Sequence, residues 1–160
     1  MKSNKGMGII GVICLTAVIV IIVAVTFYFV RLKYNEAKVQ TIRTDMLLVQ
    51  WKAKSYIDSQ TAEKVEQINY PGKKVSESED ELIKEFLQKE ILTEEEKDKY
   101  HVLTDEDLET IKSGISNAEG NYYLVNYENY EIIITGGCKI SDNQTLYKLT
   151  DIEEAVGKEK

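Results

Sequence analysis

Residues 7–30 read MGIIGVICLTAVIVIIVAVTFYFV, an apolar run without charge or proline that follows the polar leader MKSNKG. A bilayer core of about 30 Å needs roughly 20 apolar helical residues, so this run is long enough to span a membrane. A secretory signal peptide is the alternative, but its apolar region is about 7–15 residues long and ends at a small-residue cleavage site. Here Arg31-Leu32-Lys33 follows instead. We therefore interpret residues 7–30 as an uncleaved transmembrane helix.

The charges that flank residues 7–30 do not determine the orientation of this helix. Lys2, Lys5 and the amino terminus lie on one side, and four basic residues follow on the other: Arg31, Lys33, Lys38 and Arg43. The positive-inside rule compares the numbers of positive charges on these two flanks, and here the numbers are nearly equal. The small excess after the apolar run slightly favours a cytoplasmic carboxy-terminal domain.

The segment 31–69 has the pattern of an amphipathic stalk helix. Its mainly apolar stripe has near-heptad spacing, with Asn35 as a polar gap, and consists of Leu32, Val39, Ile42, Met46, Val49, Ala53, Tyr56 and Gln60. Leu47, Leu48, Trp51 and Ile57 broaden this stripe, which favours a helix covered by a globular domain over a free coiled coil. Because no glycine or proline occurs between residues 12 and 70, we expect one helix from about Met7 to the mid-60s.

Residues 70–150 have the composition of a small head domain, which begins at the break Tyr70-Pro71-Gly72. Apolar residues at helical spacing predict a helix near residues 79–91. The pairs Thr93 with Glu96 and Thr104 with Asp107 have capping-box spacing. They predict two further short helices near 94–99 and 105–113, the second ended by Gly114.

The last third of the head is rich in Tyr, Val and Ile, which favour strands. We predict strands over 122–127, 130–135 and 145–149, with a hairpin turn at Glu128-Asn129 and with Gly136-Gly137 closing the second strand. The polar tail 151–160 is expected to fray. The predicted fold class is therefore α+β: a long N-terminal helix, half transmembrane and half amphipathic, packed on a small antiparallel sheet with short helices.

The head offers little that points to catalysis or to a bound cofactor. Cys14 lies in the apolar run and Cys138 in the head, so this layout does not allow them to pair within one chain. Cys138 would need a base to act as a nucleophile, and the single histidine, His101, has no sequence relation to it. A calcium site from Asp142, Asn143 and Asp151 is conceivable, but the twelve-residue loop pattern is missing. We therefore predict no catalytic, cofactor-binding or metal-binding residues.

Several tyrosines concentrate in the predicted sheet: Tyr122, Tyr123, Tyr127, Tyr130 and Tyr147. Aromatic side chains on a sheet can bind sugars or peptides, but more often they form cross-strand pairs that hold the sheet together. The whole chain has net charge −7, and Lys2 and Lys5 precede the apolar run, so the part after it has net charge −9. This acidity argues against nucleic acid as a partner.

The junction Lys5-Gly6-Met7 joins a short basic leader ending in glycine directly to an apolar helix that continues into an amphipathic one. This arrangement resembles a type IV pilin or pseudopilin precursor over about the first 57 residues. The resemblance implies that a prepilin peptidase cuts after Gly6 and that Met7, the first mature residue, is then methylated. It also implies a pilin-like fold, a head outside the cytoplasmic membrane, and assembly with homologous subunits through the N-terminal helix.

The chain departs from this family at Gly11, the fifth mature position, where the family usually has a glutamate. A carboxylate in lipid is costly unless it is paired, so its absence argues against a major, polymer-forming subunit. The first hypothesis is thus a membrane-anchored, pilin-like structural subunit of a type IV filament or a type II secretion-like assembly. The second is a single-pass, signal-anchored extracytoplasmic binding or accessory protein without catalytic activity, and an enzyme comes third.

Overall fold

The computed structural model describes residues 5–118, 120–141 and 143–157, with backbone alone for residues 5–10, 12, 31, 32 and 34. Its helices and strands are, in chain order, α1 (Lys5–Ala62), β1 (Lys73–Lys74), α2 (Glu81–Leu87), α3 (Glu94–Lys97), β2 (Tyr100–Leu103), α4 (Asp105–Thr110), β3 (Tyr123–Asn126), β4 (Ile132–Ser141), β5 (Gln144–Lys148) and α5 (Leu149–Gly157). A 3₁₀ turn occupies Val75–Glu77. The predicted fold class is confirmed: a long N-terminal helix accompanies a small antiparallel sheet and short helices.

The chain forms two compact units, which we describe separately. The first ends at Lys38 and the second begins at Val39, both within α1. In the second unit, the strands form one sheet in the order β1-β2-β3-β4-β5, and all neighbours are antiparallel. At the centre of the sheet, His101 lies opposite Val125, and Val125 lies opposite Ile132.

The side chains of the central strands are buried on both faces of the sheet. Successive side chains of a strand point to opposite faces, so one strand contributes to two core clusters. Tyr123 and Val125 of β3 join one core cluster with residues of α1, α4 and α5. Leu124, between them, joins a second cluster with Ile83 and Phe86 of α2. The head therefore has three layers: α1 with α4 and α5, then the sheet, then α2.

Residues 39–57 of α1 supply the largest helical contribution to this core. Met46, Val49 and Ala53 are fully buried, and Val39 and Ile57 are nearly so. Four of these five residues pack with the sheet side chains Tyr123, Val125, Ile132 and Ile134. The predicted stripe is thus the face that covers the sheet.

Two residues that broadened the stripe are not covered by the head. The side chain of Trp51 is 62% exposed and that of Leu48 is 37% exposed. They lie three residues apart and share one side of the helix, away from Met46 and Val49. The prediction that this wider apolar face serves the head's own core is therefore wrong for Leu48 and Trp51.

The end of α1 was predicted in the mid-60s, within a stalk drawn to residue 69, but the helix ends at Ala62. Lys64 has φ of 52° and closes the helix as a Schellman motif. The Val65 N–H donates to the Gln60 carbonyl, and the Lys64 N–H donates to the Thr61 carbonyl. Glycine is the usual residue at this left-handed position, so a lysine there gave no stop signal in the sequence.

The sheet has five strands where three were predicted. Residues 100–103 were assigned to a segment between helices, yet they form β2, which pairs with β3 along its whole length. Four residues are too few for periodicity to separate a strand from a loop. The two-residue edge strand β1 gave even less signal. The two capping boxes, by contrast, are present as predicted at Thr93 with Glu96 and at Thr104 with Asp107.

The predicted end of the second strand at Gly136-Gly137 is also wrong, because β4 continues through both glycines to Ser141. The pairing with β5 is irregular between Ile133 and Cys138, which marks a bulge rather than a strand end. Gly137 has φ of 70°, and a Cβ placed there would lie 2.5 Å from the Thr145 side chain. Glycine thus allows β4 to bend and still pair with β5.

The tail from residue 151 does not fray as predicted, because residues Leu149–Gly157 form α5. Leu149 and Ile152 are buried against the α1 face of the sheet. The carboxylate of Glu131 accepts a hydrogen bond of 3.1 Å from the Thr150 N–H at the start of the helix. A carboxylate at this position also interacts favourably with the helix dipole. Residues 158–160 lie outside the described residues.

We predict that Met46→Ala lowers the free energy of unfolding of the head by about 2–5 kcal/mol, because it leaves a cavity between α1 and the sheet. The matched substitution Leu48→Ala, on the exposed side of the same helix, should cost less than about 1 kcal/mol. Urea unfolding of the full chain in uncharged detergent micelles, followed by near-UV circular dichroism, measures both values. Equal losses for the two variants would contradict the placement of the helix faces.

Candidate functional site

The candidate processing site of the sequence analysis is the junction between Gly6 and Met7, with Lys5 before it. All three residues lie in α1, and the structure describes their backbone alone. Lys2 lies outside the described residues. Cleavage after Gly6 therefore stays a prediction.

The apolar segment of α1 exposes its side chains on every side. From Ile13 to Val30 each described residue is exposed, including Val20 at 66% and Phe27 at 76%. Among the described helices, α1 alone is long and apolar enough to cross a membrane, with a mean hydropathy of 2.9 in its most apolar window. A helix that is apolar all round needs an apolar environment.

A separate feature of the head is an open pocket next to β2 with three aromatic rings in its wall. Its volume is about 390 Å³, and its lining consists of Tyr70, Asp98, Lys99, His101, Tyr127 and Glu128. The ring centroids of Tyr70 and Tyr127 are 5.2 Å apart, and those of His101 and Tyr127 are 5.1 Å apart. His101 meets Tyr127 edge to face, an arrangement that aromatic pairs prefer.

The segment 69–72 holds Tyr70 in the pocket wall through hydrogen bonds at both of its ends. The side-chain amide of Gln60, near the end of α1, accepts from the Asn69 N–H at 2.8 Å and donates to the Asn69 carbonyl at 3.0 Å. At the other end, the Gly72 N–H donates to the Asp107 carboxylate at 3.0 Å. Gly72 has φ of 89°, and a Cβ there would lie 2.5 Å from the Val102 carbonyl oxygen. Only glycine fits this approach to β2.

The turn between β3 and β4 presents Tyr127 and Glu128. The Tyr130 N–H donates to the Asn126 carbonyl at 2.7 Å, and the Glu128 N–H donates to the Asn126 side chain at 2.9 Å. Tyr130 has φ of 58°, a left-handed conformation that a bulky residue rarely adopts. Gln50 of α1 donates to the Tyr130 carbonyl at 2.8 Å and so ties the turn to the helix.

One polar atom of Tyr127 and one of His101 each lie within hydrogen-bond distance of a backbone carbonyl oxygen. The Tyr127 hydroxyl donates to the Pro71 carbonyl at 2.8 Å. Burial raises the pKa of Tyr127 well above its usual value, and the negative charge of Asp107 adds to this rise. Nδ1 of His101 lies 3.1 Å from the Gly72 carbonyl oxygen, which can only accept, so Nδ1 carries a proton.

The charged residues of the pocket are mostly acidic. Lys99 donates to Glu128 at 2.9 Å, and both side chains of this ion pair are largely exposed. The pKa of Lys99 is raised, and its hydrogen bond with Glu128 is the largest cause. Asp98 accepts a hydrogen bond of 2.6 Å from the Ser76 hydroxyl, a neutral donor.

The structure does not bring the remaining candidate residues into one site. Cys138 is buried in the core cluster, whereas His101 lies on β2, in the segment between the two predicted short helices. His101 aligns with Ile132 across β3, and Cys138 is six residues further along β4, on the order of 15–20 Å away. The two therefore do not form a nucleophile–base pair.

The remaining candidates are the possible metal-binding residues and the tyrosines of the sheet. Within residues 5–118, 120–141 and 143–157, no three His, Cys, Asp or Glu side chains are grouped to hold a metal ion. Asp142, of the conceivable calcium site, lies outside the described residues. Of the sheet tyrosines, Tyr123 is buried on the α1 face, while Tyr147 contacts Phe86 with ring centroids 5.9 Å apart.

The sequence did not indicate the aromatic pocket, because its residues come from three separate segments, at Tyr70, at 98–101 and at 127–128. Tyr127 was noted within a strand cluster and His101 as an isolated residue. The pairing of β1 and β2, which brings the segment at Tyr70 beside His101, rests on two residues of β1. The weak strand signals at 73–74 and 100–103 therefore concealed the site together with the strands.

Comparison of the chain with models of protein families, with curated proteins and with solved structures found no match.

We predict that Tyr127→Phe lowers the free energy of unfolding by about 1 kcal/mol at pH 7, because the Pro71 carbonyl loses its donor. The difference from wild type should shrink as pH rises above about 10, the ordinary tyrosine pKa. The pKa of Tyr127 is raised in the folded state, so its stabilising contribution is present below the unfolded pKa and is lost as pH increases. Urea unfolding of wild type and Tyr127→Phe, at pH 7 and at a pH above about 10, measures the difference in the free energy of unfolding at each pH. A difference that is the same at the two pH values would contradict the raised pKa.

Proposed function

We propose that this chain is a single-pass membrane protein in which residues 7–30 of α1 lie in a lipid bilayer. The support is the exposure of the described apolar side chains from Ile13 to Val30 on all sides of the helix. In water, this exposure would cost roughly 25 cal/mol for each Å² of apolar surface, and a bilayer removes that cost. The partner of this segment is then the hydrocarbon core itself.

We infer further that the protein is a pilin-like or pseudopilin-like structural subunit of a type IV filament or a type II secretion-like assembly, and not an enzyme. The observation that carries this inference is α1, which contains Gly6 and Met7, includes the apolar run, and contributes residues 39–57 to the core of an α+β head. In this proposal a prepilin peptidase removes residues 1–6, Met7 becomes the methylated amino terminus, and the head lies outside the cell membrane.

The exposed side of α1 supports assembly with homologous subunits. Leu48 and Trp51 present apolar surface that the head leaves uncovered, and the Lys52 ammonium lies 5.4 Å from the centre of the Trp51 ring. A neighbouring helix that packs on this side would bury both side chains. The α1 helices of adjacent subunits would then contact each other in the head as well as in the bilayer.

Gly11 limits the kind of subunit that we propose. A Cβ built at Gly11 meets nothing within 4 Å, so the described chain does not require glycine for packing at this position. Because the position holds no carboxylate, this subunit cannot pair with a neighbour's amino terminus in the way that the resemblance implies for major subunits. A minor subunit of the assembly is therefore the form that we propose.

The second candidate is a signal-anchored, extracytoplasmic binding or accessory protein. The aromatic pocket around Tyr70, His101 and Tyr127 favours this alternative, because a head that serves only assembly has no need of an open pocket. The two candidates differ at the junction of residues 6 and 7, since only the pilin-like subunit loses its leader.

We expect the protein extracted from its native membrane to lack residues 1–6 and to begin at Met7, with one added methyl group. Gly6→Leu should block this processing, because a large side chain at the last leader position obstructs the peptidase. Gly11→Leu is the matched control, since the new side chain lies past the junction at an open position of the same helix. Intact-mass spectrometry measures the start of each chain.

A wild-type chain that begins at Met1 or Lys2 would contradict the pilin-like proposal and leave the anchored binding protein. Alkaline carbonate extraction of the same membranes tests the anchor separately. The chain should remain in the membrane fraction, and its complete release would contradict the transmembrane assignment itself.

A further inference from the structure

We propose that the pocket formed by Tyr70, His101 and Tyr127 with Asp98 and Glu128 binds an organic ammonium cation, either a quaternary ammonium compound or a lysine side chain of a partner polypeptide. This inference is independent of the membrane assembly proposed above. It rests on the combination of ring surfaces and carboxylates in one open pocket of the head.

The tyrosine rings of the aromatic wall, Tyr70 and Tyr127, offer the electron-rich ring surface that attracts cations, and His101 packs against Tyr127. The ring of Tyr70 is 44% exposed, so a ligand can reach it from solvent, whereas Tyr127 and His101 are half-buried behind it. The three centroids lie within 6.3 Å of one another. A cation within about 6 Å of such a ring is attracted by its quadrupole, by about 0.5–1 kcal/mol at an exposed site.

The wall is also held in place before any ligand arrives. Tyr127 is fixed through its hydroxyl to Pro71, and His101 through Nδ1 to Gly72. Gln60 and Asp107 hold the two ends of the segment that carries Tyr70. A ligand therefore pays little ordering cost on binding, which favours affinity in a small pocket.

The charges of the lining select a cation over an anion. Asp98 and Glu128 supply two carboxylates, and the single lysine, Lys99, already contacts Glu128. Asp98 accepts from the hydroxyl of Ser76, which is a neutral donor and does not offset its charge. The acidic head adds a long-range attraction for cations, since the chain after the apolar run has net charge −9.

The polar groups of the pocket fit a sugar less well. A sugar needs several donors and acceptors around one aromatic platform, but the Tyr127 hydroxyl is already bonded to Pro71 and the Lys99 ammonium to Glu128. The remaining Asp98 carboxylate can only accept when ionised. One charged acceptor beside three rings corresponds to an ammonium group better than to a ring of hydroxyls.

The single histidine of the chain provides a direct probe of this pocket. The full chain, with its histidine labelled with ¹³C, is held in uncharged detergent micelles at fixed pH and ionic strength. Choline and Nα-acetyl-lysine amide are the ammonium probes. The control for choline is 3,3-dimethylbutanol, which has the same shape without the charge, and the control for the lysine probe is Nα-acetyl-norleucine amide. N-acetylglucosamine tests the sugar alternative.

We expect a saturable shift of the His101 ring resonances with at least one ammonium probe, and a clearly weaker effect of its uncharged control. The tighter probe identifies the source of the cation, a free quaternary ammonium compound or a lysine side chain. Tyr70→Ala should weaken binding about twofold to fivefold, in line with the loss of one exposed cation–π contact. Tyr70→Phe, which keeps the ring, should bind like wild type.

Asp98→Asn tests the charge without removing any ring. It should weaken binding of the ammonium probe, while Glu79→Gln, an exposed carboxylate outside the pocket lining, should not. Near-UV circular dichroism verifies that each variant is folded. Equal affinity for a probe and its uncharged control, unchanged binding in both Tyr70→Ala and Asp98→Asn, or a saturable shift with the sugar alone would overturn the proposal.

Discussion

The contact between residues 39–57 of α1 and the sheet is the interaction on which the rest of the head depends. A small sheet in which β1 has two residues and β2 and β3 have four needs its apolar face packed against helices. Met46, Val49 and Ala53 of α1 are fully buried on that face, together with residues of α4 and α5. The same helix also fixes the two edges of the aromatic pocket, through Gln60 at Asn69 and Gln50 at Tyr130.

The sequence predicted those parts of the fold that produce a local signal. The α1 stripe has a clear period, and the capping boxes of α3 and α4 join residues three apart, so both could be identified from the sequence. The missed features depend on tertiary contacts: β2 is a strand because β3 pairs with it, and α5 is ordered because Ile152 is buried. Lys64 ends α1 in a conformation for which a lysine gives no sequence signal.

The two candidate functional sites, the Gly6–Met7 junction and the aromatic pocket, also differ in how much of them the sequence reveals. The Gly6–Met7 junction is a linear motif, so the sequence shows it in full, and the structure adds that both residues are helical. The aromatic pocket is assembled from residues far apart in the chain, since Tyr70 reaches His101 only through the pairing of β1 with β2. The sequence without the strand order therefore does not reveal this pocket.

The central claim is that residues 39–57 of α1 are an integral part of the cooperative core of the head and not a separate helix that packs loosely on it. Hydrogen exchange of the full chain in detergent micelles tests this claim directly. If it is correct, the amides of residues 46–57 exchange only through global unfolding, with the same free energy and urea dependence as Leu124 and Ile133 in the central strands. If the amides of residues 46–57 exchanged through a smaller, urea-independent opening while the strands stayed protected, α1 would not be part of the cooperative core.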